Sequence, residues 1–526
     1  MRRRSLHPVL LLVLLTGIAL ALSPSFPGLA QEVSVFRTAL TAEPPTLDPA
    51  LATDLTSLEV INELFDGLVQ FNEKAAPVPG LAKSWDVSNG GRTYTFHLRD
   101  ARFHNGRPVT AEDFAYSWNR ALDPQTKSPT AELYLGDIVG AKDVLEGKAR
   151  TASGIQVIDP HTLQVTLDKP RAYFIAMLTY PVTFVVPKEA VEKGGTRWTE
   201  TDLIGTGPFK LKEWVHNYKV VLEANKNYYQ GAPKVDRIEM PIVSDENTRI
   251  AMYERGELDY TDVPAKFVPA MKKKYPQEVY SVPNANVYYI GFGQKAAPVL
   301  RNKLVRQALN LAVNRQILCD VILQGSATPA VGVLPPGMPA YDKNLKGLGF
   351  DPKLAKEKLA QAGYADPRKF PQLTLSYRSG VQTSQQVAEF VQAQLSQNLG
   401  ISVVLQPLEW GKLLQGENDR ALQMWFISWW ADYMDPQNFL SILLQPGNDF
   451  DYNNPEVTRL TSDADVEANY AKRMQLYRKA NEVAALDPPF LFLYHLNSTY
   501  ARKPYVHGLV ETPMGHLPYF RVSIKK

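Results

Sequence analysis

The chain has 526 residues, of which 57 are basic and 54 acidic, and Arg2, Arg3 and Arg4 account for the difference. With those three set aside the charges balance, so the chain lacks the basic excess that attracts phosphate backbones, and nucleic acid is not an expected partner. A single cysteine, Cys319, excludes an intrachain disulfide, and the length exceeds the roughly 250 to 300 residues that one hydrophobic core serves, which predicts two lobes or more.

In chain order, the three arginines, the apolar run Val9 to Leu22 and the small residues up to Ala30 follow the pattern of a secretory signal peptide over residues 1–30. The run is shorter than the roughly 20 residues of a membrane span. Export and cleavage after about Ala30 are expected, and with no cysteine near that point the expected product is free and periplasmic, not lipid-anchored. Leu58, Ile61, Leu64, Phe65, Leu68 and Val69 form one stripe at helical spacing, which predicts a helix over 57–71. Trp85-Asp86-Val87, a Ser88-Asn89-Gly90-Gly91 turn and the alternation through Tyr94, Phe96 and Leu98 predict a hairpin. Thr110-Ala111-Glu112-Asp113 reads as a capping box that opens an amphipathic helix through Phe114 and Trp118, stopped at Asp123-Pro124. A second hairpin runs from Ile155 through Asp159-Pro160 to Leu167, so residues 76–200 read as α+β.

Val220–Leu222 and Ile238–Met240 read as strands, and Asp245 to Gly256 as a short helix. Val287–Phe292 reads as a strand leading to Gln294–Pro298, where the chain is expected to cross between lobes. Beyond it come a long helix over Lys303–Leu323 holding a buried, inert Cys319, a strand at Leu373–Tyr377, a helix at Gln385–Leu399 and a strand at Ile401–Leu405. Strand and helix alternate here as in a sheet wrapped by helices. Phe490–Leu496 reads as a strand that returns the chain to the first lobe. Two lobes joined by two crossing strands would enclose a cleft suited to a ligand that closes the hinge.

Catalytic signatures are absent: the sequence holds no GxSxG, HExxH or GxxxxGK[ST] pattern. Gly205-Thr206-Gly207-Pro208-Phe209-Lys210 departs from a dinucleotide loop at Lys210 and reads as a turn. The histidines show no metal-ligand spacing beyond the His507/His516 pair, so neither a metal nor a cofactor is expected, and the chain reads as a binding protein without catalytic residues. One stretch stands out: Ser428-Trp429-Trp430-Ala431-Asp432-Tyr433-Met434-Asp435-Pro436 sets a carboxylate directly after two indoles in an apolar run. Asp435, before Pro436, is explained as the opening of a turn or the cap of a helix over Gln437–Leu444. That explanation does not extend to Asp432.

Several segments in this order resemble the extracytoplasmic solute-binding proteins of ABC importers, family 5, in its oligopeptide- and dipeptide-binding branch. They are Glu43-Pro44-Pro45-Thr46-Leu47-Asp48-Pro49, Leu81-Ala82-Lys83-Ser84-Trp85, Arg92 to Arg99, Phe103 to Phe114, Gly205 to Phe209, Asp245 to Arg249, Val305 to Leu309 and the Ser428 stretch. The resemblance implies an α/β, two-lobed periplasmic binding protein fold of the class II, cluster C type. Lobe 1 would hold residues 31–293 and 496–526, with 76–200 as an extra α+β subdomain, and lobe 2 residues 294–495. It also implies a monomer that captures peptides, di- to oligopeptides, in the cleft and carries them to a membrane permease. In such binders the aspartate of a Trp-x-Ala-Asp-Tyr motif pairs with the ligand's α-ammonium group, which here gives Asp432 that role, in a frame of Ser428, Trp429, Trp430, Ala431 and Tyr433. A carboxylate enclosed by two indoles is costly without a cation, so either an ammonium ligand or a basic side chain of the protein itself is expected beside it. The first-lobe segment Ala52-Thr53-Asp54-Leu55 is the matching candidate for main-chain contacts with an extended ligand, or else a surface loop. Tyr494 is a further candidate, or core.

One departure concerns the other end of the ligand. Some oligopeptide binders carry a basic residue six positions before the amine-binding aspartate, where it meets the ligand's carboxylate, and here Phe426 stands there. The competing readings are the same fold with an oligosaccharide, opine, glutathione or nickel chelate as ligand, an exported hydrolase, and an adhesion or scaffold protein with an exposed apolar patch.

Overall fold

One strand, Phe490–Arg502, runs through both halves of the molecule and shows how they are joined. In this computed structural model, which describes residues 33–201, 203–516 and 518–526, its first part pairs with Asn286–Phe292 and Ala327–Pro329, and its last part with Val279–Pro283 and Tyr260–Asp262. The signal peptide and its cleavage point lie outside the described residues. The second-lobe sheet continues from Asn286–Phe292 to Met424–Trp430, then Leu373–Arg378, then Val403–Leu408. Its two faces carry separate apolar cores, one around Ile290, Leu375 and Leu491, the other around Val287, Trp425 and Phe492, as the two-residue period of a strand requires.

Ahead of Gln294–Pro298, Asn286–Phe292 pairs on both edges, with Met424–Trp430 and with Phe490–Arg502, and that ladder begins at Asn286. Side-chain amides take over from the backbone ladder at that point. Asn286, fully buried, donates through Nδ2 to the Leu496 carbonyl at 3.0 Å and accepts through Oδ1 from the Leu496 N–H at 2.8 Å. Asn284 accepts from the Ser498 N–H at 2.8 Å. His495 Nδ1 lies 2.7 Å from the Asn286 carbonyl, and burial pulls this imidazole down to about 4, so it is neutral and donates.

The first lobe is built on the sheet Phe209–Val215, Lys219–Ala224, Arg237–Pro241 and Val35–Arg37. Its α+β subdomain has the two expected hairpins as one antiparallel sheet, Ala82–Ser88, Thr93–Leu98, Thr162–Thr166 and Ile155–Asp159, beneath the helix Ala111–Leu122. The capping box at Thr110 and Asp113 is present.

Two predicted helices are shorter than their apolar periodicity. The helix at 57–71 is Leu55–Leu64, because the Leu64 carbonyl is taken by the N–H groups of Thr206 at 3.0 Å and Gly207 at 2.9 Å. A Cβ on Gly205 would lie 1.8 Å from that carbonyl, so the turn read in the sequence is the loop that ends this helix, and it needs its glycine. The long helix over Lys303–Leu323 stops at Leu311. Asn314 caps a new turn by accepting from the Ile317 N–H at 3.1 Å, and buried Arg315 feeds the carbonyls of Phe492 at 2.7 Å and Leu348 at 2.6 Å. Cys319, fully buried just beyond, has its thiol pushed up to about 12 by burial, as an inert core residue should.

Candidate functional site

The apolar strand Met424–Trp430 delivers Asp432 to the junction of the lobes. The Ala431 N–H donates to the Ala285 carbonyl at 2.8 Å, which pins the strand's end beside the hinge. The turn that follows is closed by Asp435, which accepts from the Gln437 N–H at 3.0 Å and is held by both Arg473 amino groups at 2.8 and 2.6 Å. The helix Gln437–Leu444 then places Asn438, fully buried, under Asp432. Asn438 accepts from the Asp432 N–H at 3.0 Å and donates to Asp432 Oδ2 at 2.9 Å.

A third bond comes from the other lobe. The Tyr134 hydroxyl donates to the same Oδ2 at 2.5 Å, with its ring stacked on Tyr180 at 4.2 Å, and Tyr180 in turn donates to the Ala52 carbonyl at 3.3 Å. Asp432 Oδ1 has no partner among the described residues, yet it is not sealed off. The group is deep but keeps accessible surface. Burial outweighs the bonds from Asn438 and Tyr134 and raises the carboxyl to about 6. Among the described residues no lysine, arginine or histidine pairs with it, so the alternative of a built-in cation does not apply.

The frame residues divide by role. Ser428 and Trp430 are half-buried and stand opposite Tyr288 and Asn286 in the strand pairing. Trp429, half-buried, donates to Asn438 at 3.3 Å and packs against the cores of both lobes, while Ala431 and Tyr433 are buried. Asp54 caps the helix Leu55–Leu64 through the N–H groups of Thr56 and Ser57 at 3.1 and 3.2 Å, and its Oδ1 also accepts from Trp410 Nε1 of the second lobe at 3.1 Å. Its carboxylate is thus engaged by the protein, whereas Thr53 is half-buried and Leu55 exposed beside it. Tyr494 is core: it is 2% exposed and stacked on Tyr288 at 4.6 Å. Phe426 is buried in the second-lobe core, which leaves no carboxylate anchor at its position.

Arg378, which the sequence reading missed, is a deep cation on the neighbouring strand. It ends the strand Leu373–Arg378, beside Met424–Trp430, at the carboxyl end where ligands bind in open α/β sheets. Its guanidinium donates to the Thr41 carbonyl of the first lobe and lies 5.1 Å from the Trp410 ring centre. It is deep, keeps accessible surface and has no ion-pair partner among the described residues. Burial, and next Arg249, lower it to about 10, so it stays charged at neutral pH. Its signal was legible: an arginine that closes the apolar strand Leu-Thr-Leu-Ser-Tyr. Further contacts tie the lobes together, with Thr383 donating to Glu246 at 2.8 Å, and Lys266 to Gln382.

Residues 76–451 match the family model described as bacterial extracellular solute-binding proteins, family 5, middle. The periplasmic murein peptide-binding protein MppA of Escherichia coli is 33% identical over 94% of both chains. The oligopeptide-binding protein OppA of Bacillus subtilis is 31% identical over 91% of this chain and 90% of its own. The probable deoxycholate-binding periplasmic protein YgiS of E. coli is 32% identical over 90% of both. Among solved structures, the E. coli murein tripeptide binding protein MppA superposes with a TM-score of 0.89 at 32% identity, over 94% of this chain and 99% of that one. The unliganded open form of MppA covers 94% and 98% at 31% identity but reaches only 0.65. The lobes of this chain are therefore set as in the former and not as in the open form, in agreement with the bonds from Tyr134 to Asp432 and from Trp410 to Asp54.

Proposed function

The chain belongs to the family 5 bacterial extracellular solute-binding proteins, a family of binding proteins and not of enzymes, and on that premise we propose that it captures a peptide between its lobes. The observation that carries this reading is the Asp432 carboxylate, which is deep, hydrogen-bonded on one oxygen by neutral groups and open on the other. A buried carboxylate in that state is stabilised by a cation that brings its own hydrogen bonds, and the α-ammonium group of a peptide is such a cation. Arg378 is its counterpart for a free carboxylate, by a planar guanidinium of opposite sign on the neighbouring strand. Both peptide termini then find a partner in the cleft, and main-chain bonds to the Thr53 segment complete the contact with the first lobe.

The same reading makes the protein a periplasmic monomer, exported by its leader, that hands the peptide to an ABC permease; relatives named for peptide binding support the class of ligand. Di- to oligopeptides are the expected lengths. Native mass spectrometry of the mature protein, before and after mild denaturation, tests it: a set of masses equal to short peptides is expected. A single non-peptide mass would overturn the peptide and favour a ligand of the kind named for YgiS, a carboxylate without an ammonium group, for which Arg378 has a role and Asp432 none.

A further inference from the structure

The helix Leu55–Leu64 has one covered face and one open face. Thr56, Ser57, Val60, Ile61, Glu63 and Leu64 are buried against the first lobe. Leu55, Leu58, Glu59 and Asn62, at positions i, i+3, i+4 and i+7 of the same helix, keep accessible surface, Leu55 as much as 47%. The helix begins at Asp54, which accepts from Trp410 of the second lobe, so the open face starts at the junction of the lobes. It carries one acidic group, Glu59. That carboxylate accepts a single hydrogen bond, from the Tyr519 hydroxyl at 2.9 Å, and no basic side chain among the described residues pairs with it.

Asp262, which ends the strand Tyr260–Asp262 paired with the last part of Phe490–Arg502, acts electrostatically on Glu59 and, separately, on Arg378 and Tyr288. Asp262 is itself neutralised by Arg249, at 2.9 Å to each oxygen, and Glu63 behind Glu59 is sealed by the Tyr519 N–H at 2.9 and 3.1 Å. Burial holds the Glu59 carboxyl up at about 7. Glu59 is thus, like Asp432, a deep carboxylate that keeps accessible surface without a basic partner among the described residues. Leu55, exposed one turn before it, offers apolar surface on which the methylene stem of a long basic side chain can lie, whereas Leu58 packs against the first-lobe cores.

We propose that Glu59 is a specificity determinant of the cleft: it receives a basic side chain of the bound peptide, of the lysine or arginine class, at one position along the ligand. This rests on the peptide reading above. A cation there supplies what the protein leaves out, as the α-ammonium group does at Asp432.

The test is calorimetry at pH 8 with alanine tri- and tetrapeptides in which each position in turn is lysine or norleucine, on the mature wild-type protein and on Glu59→Gln. Glutamine keeps the shape and an acceptor for Tyr519, so the readout is the ratio of lysine to norleucine affinity within each protein. At one position the wild type is expected to favour lysine by about tenfold, a difference of about 1.4 kcal/mol, and Glu59→Gln to bring that ratio to about one. A ratio of one at every position in the wild type, or a lysine preference that survives in Glu59→Gln, would overturn the proposal while leaving the peptide reading intact. If none of the peptides binds, both fall together.

Discussion

Asp48 and Asp432 are both carboxylates of the interior, and their surroundings are opposite. Asp48 is held by Arg120 at 3.0 and 2.5 Å and by Trp198 Nε1 at 2.8 Å. Asp432 has neutral donors only, on one oxygen. The same contrast holds among arginines: Arg306 meets Asp487 at 2.5 Å and Arg473 meets Asp435 at 2.6 Å, whereas Arg378 has a carbonyl and an aromatic ring. Buried charges such as Asp48, Arg306 and Arg473 are neutralised within the chain, while Glu63, Asp66 and Glu417 are buried with neutral donors only, the Tyr519 N–H, the Tyr228 hydroxyl and Trp425 Nε1 respectively. Asp432, Arg378 and Glu59 differ from both groups in keeping accessible surface without an ion-pair partner among the described residues, and that difference is why we propose them as recognition groups.

The largest expected effects set the two aspartates against each other. Asp432→Ala should weaken peptide binding by about 3 to 5 kcal/mol with no fall in melting temperature, while Asp48→Ala, which strands Arg120, should cost about 3 to 5 kcal/mol of folding stability. Calorimetry and thermal melts on both variants check this, and a destabilised Asp432→Ala would erase the distinction. Next, Arg378→Met should lower affinity for a free-acid peptide by about 2 to 5 kcal/mol and leave a C-terminally amidated peptide unaffected. Equal losses for both forms would return Arg378 to a lobe-bridging role through Thr41.

Smaller is the contribution of the first lobe at this corner. Tyr134→Phe removes one bond to a charged acceptor, and a loss of about 1.5 to 3 kcal/mol in binding is expected from equilibrium titration. The smallest step comes from pH. In the free protein Asp432 is protonated below about 6, and a bound ammonium holds it ionised, so the complex carries fewer protons than the free protein. Affinity should therefore be flat from about 6 upward and fall by about tenfold per unit as pH drops below it, measured with trialanine between pH 4.5 and 7.5. A flat profile through that range would mean that Asp432 takes no cation.

Much of this was legible in the sequence where the information is local. The capping box at Thr110, the strand at Val287–Phe292 and the carboxylate after Trp429-Trp430 could be read because neighbours along the chain decide them. What could not be read is set by distant residues. Tyr134 and Asn438 hold Asp432 from a first-lobe helix and a second-lobe helix, and the end of Leu55–Leu64 is fixed by a loop at Gly205–Gly207. Asn284 and Asn286 look like turn formers in sequence, whereas their amides stand in for ladder bonds to Leu496 and Ser498. The setting of Arg378 could not be read because its contacts, the Thr41 carbonyl and the Trp410 ring, are distant along the chain.

The most direct test titrates the mature protein with one tripeptide in four forms: free, Nα-acetylated, C-amidated, and blocked at both ends. Both single blocks should weaken binding by at least about tenfold, the acetyl group through Asp432 and the amide through Arg378, and the double block should abolish measurable heat. A doubly blocked peptide that binds as well as the free one would contradict the claim that the unpaired charges of the cleft recognise peptide termini.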